Sequence, residues 1–165
     1  MDLVAAAEAA NEAGVAVALV EQPYVVAGRK SPAPARQLDA AWTAVVEELK
    51  GGAFEGLPLL VGGRSAGARV ACRTAADVGA VAVLCLAFPV HPPGKGDDPA
   101  KSRLGELDAV EVPVLVVQGD SDPFGMPPEG ANRTVVKVAG NHSFKDADAI
   151  REAVSAWLAQ RISRR

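Results

Sequence analysis

The chain has 165 residues, 49% hydrophobic and 22% charged, and its 17 Lys and Arg against 20 Asp and Glu leave a net charge of −3. That balance describes one globular domain with a single core and excludes a disordered chain; nucleic-acid binding is disfavoured because the only run of basic residues is the terminal stretch 161–165, read as a solvated helix end. The N-terminal segment is interrupted by Asp2, Glu8 and Glu12 and has no basic leader, so it reads as neither signal peptide nor membrane span, and a cytoplasmic protein is expected.

In chain order, residues 2–13 form an alanine-rich helix with Gly14 as its stop, and the all-apolar run 15–20 reads as a strand. Leu38, Trp42, Val45, Val46 and Leu49 recur at helical spacing, and Gly51-Gly52 ends that helix. A second apolar strand, 57–62, leads into Gly63-Arg64-Ser65-Ala66-Gly67. Ala68, Ala71, Cys72 and Ala75 then make a stripe of small side chains, suited to a helix lying close on a sheet. Strands follow at 80–86, 112–118 and 134–138, and Ile150, Val154, Trp157 and Leu158 mark a closing helix. Strands apolar throughout indicate a sheet covered on both faces. Their alternation with helices predicts a doubly wound, mostly parallel α/β sheet in one domain, 1–165. Residues 88–105 carry Pro92-Pro93-Gly94 and Gly96-Asp97-Asp98-Pro99, and are read as an irregular wall or lid over a cleft.

Gly63–Gly67 has the G-x-S-x-G form of a nucleophile elbow, a strand turning sharply into a helix with serine at the apex. The expectation is that a side chain at either flanking glycine would collide with its neighbours. The helix behind the turn aims free N–H groups, that of Ala66 first, at charge developing on a substrate. Two later strand-to-loop transitions supply partners: Gln118-Gly119-Asp120-Ser121-Asp122-Pro123-Phe124 and Ala139-Gly140-Asn141-His142-Ser143-Phe144. The order Ser65, Asp122, His142 is that of an α/β-hydrolase triad, in which His142 takes the serine proton and Asp122 fixes the ring. From the residues alone, Asp120 competes with Asp122 in the same turn. His91, the other histidine, reads as a loop residue lining the cleft. Arg64 and Arg69 flank the elbow and read as structural salt bridges before anion attractors. Tyr24, Arg29 and Lys30 are expected to border the cleft. Cys72 and Cys85 have neither CxxC spacing nor a nearby His and read as buried thiols. Gly94-Lys95-Gly96 lacks the rest of a P-loop, and no metal-ligand spacing is present, so no cofactor or metal is expected.

These segments resemble the small α/β-hydrolase-like proteins of the dienelactone-hydrolase type. The resemblance is nearest to a bacterial branch related to the animal testis-expressed and histone-acetyltransferase-complex hydrolase-like proteins. Gln22-Pro23-Tyr24 with Ala27-Gly28-Arg29-Lys30, the elbow at 62–69, Phe88-Pro89-Val90-His91-Pro92-Pro93-Gly94, residues 113–125 and 140–144 carry it across most of the chain. It implies Ser65 as nucleophile, Asp122, before Pro123-Phe124-Gly125, as acid, and His142 as base. The implied activity is hydrolysis of a small ester, thioester or activated amide through an acyl-enzyme; the alternative is a hydrolase-fold binding module with a relic triad. Family members begin with further strands and a His-Gly-type loop that donates a second oxyanion N–H. Here Met1 falls inside the following helix, which leads to the expectation of an N-terminally truncated fold and a longer natural protein. The partner implied is a small-molecule acyl substrate, with neither nucleic acid nor membrane.

Overall fold

Four strands pair in parallel in the computed structural model, which describes residues 1–162. They are β1 (Leu60–Arg64), β2 (Ala82–Leu86), β3 (Val114–Gly119) and β4 (Arg133–Val138), and they lie side by side in chain order. The predicted apolar strands alternate between two cores. Val83, Cys85, Val114 and Val116 point to one face, and Ala82, Leu86, Leu115 and Val117 to the other. Such strands must be covered on both sides, because each face carries its own set of apolar side chains.

The first face is covered by α3 (Ala35–Lys50), α4 (Ala66–Thr74) and α5 (Leu104–Asp108). The predicted small-residue stripe of α4, Ala68, Ala71, Cys72 and Ala75, is buried there against the sheet. The opposite face is covered by α1 (Asp2–Glu12) and α6 (Ala147–Ala159), which meet through Ala5, Ala6 and Ala9 on one side and Ala153, Val154 and Trp157 on the other. Gly14 ends α1 at φ +84, with its N–H bonded to the carbonyl of Asn11 and that of Val15 to Ala10. This is a Schellman closure, which needs a left-handed residue at that position. Asp146 caps α6 by accepting from the amides of Asp148 and Ala149.

Three expectations are corrected. Residues 15–20 form no strand: they run past β1 without pairing, and Ala16, Val17, Ala18 and Leu19 are exposed. No described strand lies between them and β1, so their backbone groups have no ladder to join. A narrow apolar groove of about 150 Å³ follows that free edge, with Val15 to Val20, Trp42 and Leu60 in its walls. β1 itself starts later than predicted and continues through both glycines to Arg64, because pairing with β2 runs on to Arg64 beside Leu86. Two short helices were not foreseen, α2 (Pro23–Val26) and α5, the latter beginning inside the predicted irregular stretch. A 3₁₀ turn at Pro99–Lys101, capped by Asp98, also lies in that stretch. Of the basic tail, Arg161 donates to the carbonyl of Trp157 and stacks over its ring, while positions 163–165 lie outside the described residues. No described helix is long and apolar enough to cross a membrane.

Candidate active site

Parallel strands end on the same side of the sheet, so the loops after β1, β3 and β4 converge there. Ser65 stands between β1 and α4 with φ 52 and ψ −113, a conformation that costs a residue with a side chain about 1–3 kcal/mol. The turn is held by the Ser65 amide, which donates to the carbonyl of Leu86 on β2 at 2.9 Å. Close approach explains Gly63: a Cβ there would lie 2.6 Å from the carbonyl oxygen of Gly67. The expected collision at Gly67 is absent, since a Cβ at that position meets open space. Only the strand-side glycine is sterically required.

His142 is reached from β4 through a tight loop. Its Nε2 lies 2.8 Å from Ser65 Oγ, and its Nδ1 lies 2.9 Å from Asp122 Oδ2. A proton on Nδ1 donates to the carboxylate and leaves Nε2 free to accept from the serine hydroxyl. Asp122 has a side chain with no solvent exposure, whereas that of His142 is 19% exposed. The buried carboxylate is surrounded by donors. The Phe124 amide bonds Oδ1 at 2.8 Å, and Gln118 Nε2 bonds Oδ2 at 2.9 Å. The Phe124 ring lies over the imidazole with centroids 4.2 Å apart, holding it on its other side.

The two acid candidates therefore part company. Asp120 is exposed, and its Oδ1 accepts from the Gly140 amide at 3.2 Å, bracing the histidine loop without touching the ring. Ser121 adds to that brace through its hydroxyl and amide, both on the Gly140 carbonyl. A Cβ on Gly119 would come within 2.6 Å of that same carbonyl oxygen, so the acid and histidine loops can close only over glycine.

The remaining candidates fall outside the serine–histidine–aspartate line. His91 Nδ1 donates to the carbonyl of Pro92 at 2.8 Å, and its ring lies against Gly96 and Gly125; no hydrogen bond joins it to Ser65 or Asp122. Tyr24 sits in α2, with Arg29 and Lys30 exposed beyond it, and among the described residues none is hydrogen-bonded to the triad positions. Arg64 links two distant pieces: its Nε donates to Asp2 at 2.7 Å and its Nη2 to the carbonyl of His142 at 2.7 Å. Arg69 is bidentate on Glu106, at 2.8 and 2.6 Å. Ala66 opens α4, where the first N–H groups have no partner within the helix. Among the described residues, no group of three His, Cys, Asp or Glu side chains is set to hold a metal ion.

Gln118 is the residue that sequence reasoning passed over. It closes the buried run of β3 with no solvent exposure, and its amide nitrogen lies within bonding distance of Asp122, of the Phe88 carbonyl at 3.1 Å and of the Gly125 carbonyl at 2.9 Å. Three acceptors around one nitrogen define which end of the amide faces them. The available signal was a polar amide ending a run of valines, since such a group is buried only with partners.

Comparison with known proteins identifies the family and the fold. The family described as Alpha/beta hydrolase domain matches residues 2–157. An α/β serine hydrolase without lid from Xanthomonas campestris superposes with a TM-score of 0.75 at 22% identity, over 96% of this chain and 72% of that one. A serine hydrolase homologue from Coxiella burnetii gives 0.67 at 19% identity, over 96% and 76%. A monoacylglycerol lipase from Paleococcus ferrophilus gives 0.59 at 14%, over 94% and 87%. At these identities the likeness to solved structures establishes the fold. No curated protein matches the sequence.

Proposed function

The chain belongs to the alpha/beta hydrolase family, and from that footing we propose that it is a serine hydrolase that cleaves a small ester or thioester through an acyl-enzyme. The observation that carries this reading is the unbroken line Ser65 Oγ, His142 Nε2, His142 Nδ1, Asp122 Oδ2, with contacts of 2.8 and 2.9 Å and a fully buried carboxylate at its end. In the proposed reaction Ser65 Oγ attacks the acyl carbonyl while its proton passes to His142 Nε2. Asp122 keeps the ring oriented and stabilises the imidazolium. The amide of Ala66 faces the developing oxyanion. The tetrahedral species collapses, His142 Nε2 gives its proton to the departing alcohol or thiol, and Ser65 is left acylated. Water then adds to the acyl carbon with His142 as base, releasing the acid and restoring the hydroxyl. The chemistry assigned here uses protein groups alone.

Intact-mass labelling with a fluorophosphonate tests the nucleophile. One adduct is expected on the wild type and none on Ser65→Ala. Hydrolysis of a 4-nitrophenyl ester should fall by about ten-thousand-fold in Ser65→Ala, His142→Ala and Asp122→Asn, and stay within a few-fold in Asp120→Asn. Hydrolysis that survives in Ser65→Ala and His142→Ala would end the triad assignment. A folded wild type that takes no label would favour the alternative, a hydrolase-fold binding module.

A further inference from the structure

The loop after β2 and the face of α4 enclose an open cavity of about 480 Å³ beside the elbow, lined by Arg69, Pro92, Lys101, Ser102, Arg103 and Glu106 among others. Its charge is unbalanced. Glu106 is taken up by Arg69 and, from the next turn of α4, by Arg73 at 3.2 Å. Asp39, the other carboxylate of the cluster, is held bidentate by Arg73 at 2.9 and 2.6 Å. Two carboxylates thus serve two arginines, and two further cations remain. Among the described residues, neither Lys101 nor Arg103 makes an ion pair or donates a side-chain hydrogen bond, although Arg103 is partly withdrawn from solvent. Burial and the neighbouring positive charge of Arg69 hold the Arg103 guanidinium below the usual arginine range, with Glu106 offsetting part of it. A partly buried guanidinium that feels a second positive charge and has no carboxylate of its own is an unmet positive charge.

One wall of the cavity lies on the helix that Ser65 opens. Arg69 is one turn beyond Ser65 on α4, its amide bonded to the Ser65 carbonyl at 3.3 Å, and four residues of helix span about 6 Å. Helical side chains lean toward the N-terminus, so that of Arg69 leans over the turn that begins at Ser65. The opposite wall is the loop that follows β2, whose Leu86 carbonyl receives the Ser65 amide.

We propose that this cavity binds an oxyanion carried by the substrate, a carboxylate or phosphate at the far end of the acyl chain, with Arg103 and Lys101 as its partners. The proposal rests on the serine-hydrolase reading for the position of the ester. Guanidinium groups suit such anions because their planar fork can donate two parallel hydrogen bonds. Ser102 already accepts from the Leu104 amide and keeps its hydroxyl proton to donate.

The test compares the 4-nitrophenyl half-ester of adipic acid with the 4-nitrophenyl ester of hexanoic acid, equal in chain length and differing in a terminal carboxylate. The wild type should prefer the half-ester in kcat/KM by about tenfold or more. That preference should shrink several-fold in Arg103→Gln and further in Arg103→Gln with Lys101→Gln, survive in large part in Arg103→Lys, and weaken as salt is raised. Equal ratios in wild type and Arg103→Gln would overturn the proposal. Should neither ester be turned over, the hydrolase reading fails first, and adipate and inorganic phosphate are then titrated into wild type and Arg103→Gln by calorimetry. Saturable binding lost in the variant would uphold the anion site, and binding of phosphate alone would name the ligand. No binding, or equal binding in both proteins, would remove it.

Discussion

Asp122 is a carboxylate without solvent, and such a group is tolerated only when donors replace the water it has lost. Of its three donors, the Phe124 amide comes with the turn and His142 with the chemistry, which leaves Gln118 as the support that a single substitution can remove. In Gln118→Met the carboxylate and the carbonyls of Phe88 and Gly125 lose the two N–H donors they share, so stability should fall by about 1–3 kcal/mol. We expect kcat/KM to fall about 10–100-fold as well. A double-mutant cycle separates the two effects: in an Asp122→Asn background the loss of activity should largely vanish while the loss of stability persists. An equal activity loss in both backgrounds would mean that Gln118 acts on the fold alone. Cys72 and Cys85 belong to the same scale. Their sulfurs lie 3.5 Å apart between α4 and β2, and the hydrogen bond shared with Cys72 together with burial pushes the Cys85 thiol well up. In the native protein at pH 8, Cys85 should resist iodoacetamide, and both thiols should react once the chain is unfolded in urea, as peptide mass mapping would register.

The elbow shows what an element demands beyond its motif. Two glycines frame Ser65, and the pattern treats them as equivalent. The packing does not. Gly63 lies against the first turn of α4, and Gly62 before it faces the Leu84 carbonyl, which a Cβ would approach to 2.7 Å. Gly67 looks into open space at a helical position with ordinary φ. Gly63→Ala should therefore destabilise by about 2 kcal/mol or more and displace Ser65. Gly67→Ala should be neutral or stabilising by up to about 1 kcal/mol, because alanine is the better helix former. Thermal unfolding of the two variants would decide this, and a drop of similar size in both would sink the steric account. The glycines that matter farther along are at Gly119 and Gly140, where the acid and histidine loops cross each other.

Across the whole molecule, the site is the seam where three loops meet, and its rigidity comes from the two cores beneath it. β2 and β3 lie in the middle of the sheet with helices on both faces. α1 is tied to α6 by Arg151, which bonds both Glu8 and Asp148, and to the site by the Asp2–Arg64 pair. By contrast, residues 15–34 are mostly exposed and carry only the short α2. Native-state hydrogen exchange should accordingly find its slowest amides in β2 and β3, and amides between residues 15 and 34 exchanging faster by orders of magnitude. Uniform protection across both would show that the segment beside β1 is held by contacts other than those described.

Much of this was legible without coordinates, and the reason is local. Helix and strand periodicity marked α1, α3, α4, α6 and all four paired strands, because apolar spacing and glycine stops act over a few residues. Ser65, Asp122 and His142 were legible as candidates because a motif and the chain order of its partners are properties of the sequence itself. What tertiary structure alone decided were the relations between segments. An apolar run such as 15–20 has the composition of a strand, but a strand is completed by a neighbour, and among the described residues this one has none. Asp120 and Asp122 are alike in type and two residues apart, so only the turn after β3 could send one to the imidazole and the other to the Gly140 amide. Gln118 and Arg64 gain their roles from partners across the fold: Phe88, 30 residues from the glutamine, and Asp2 and His142, 62 and 78 residues from the arginine. Local pattern determines which elements form; long-range packing determines which side chains meet.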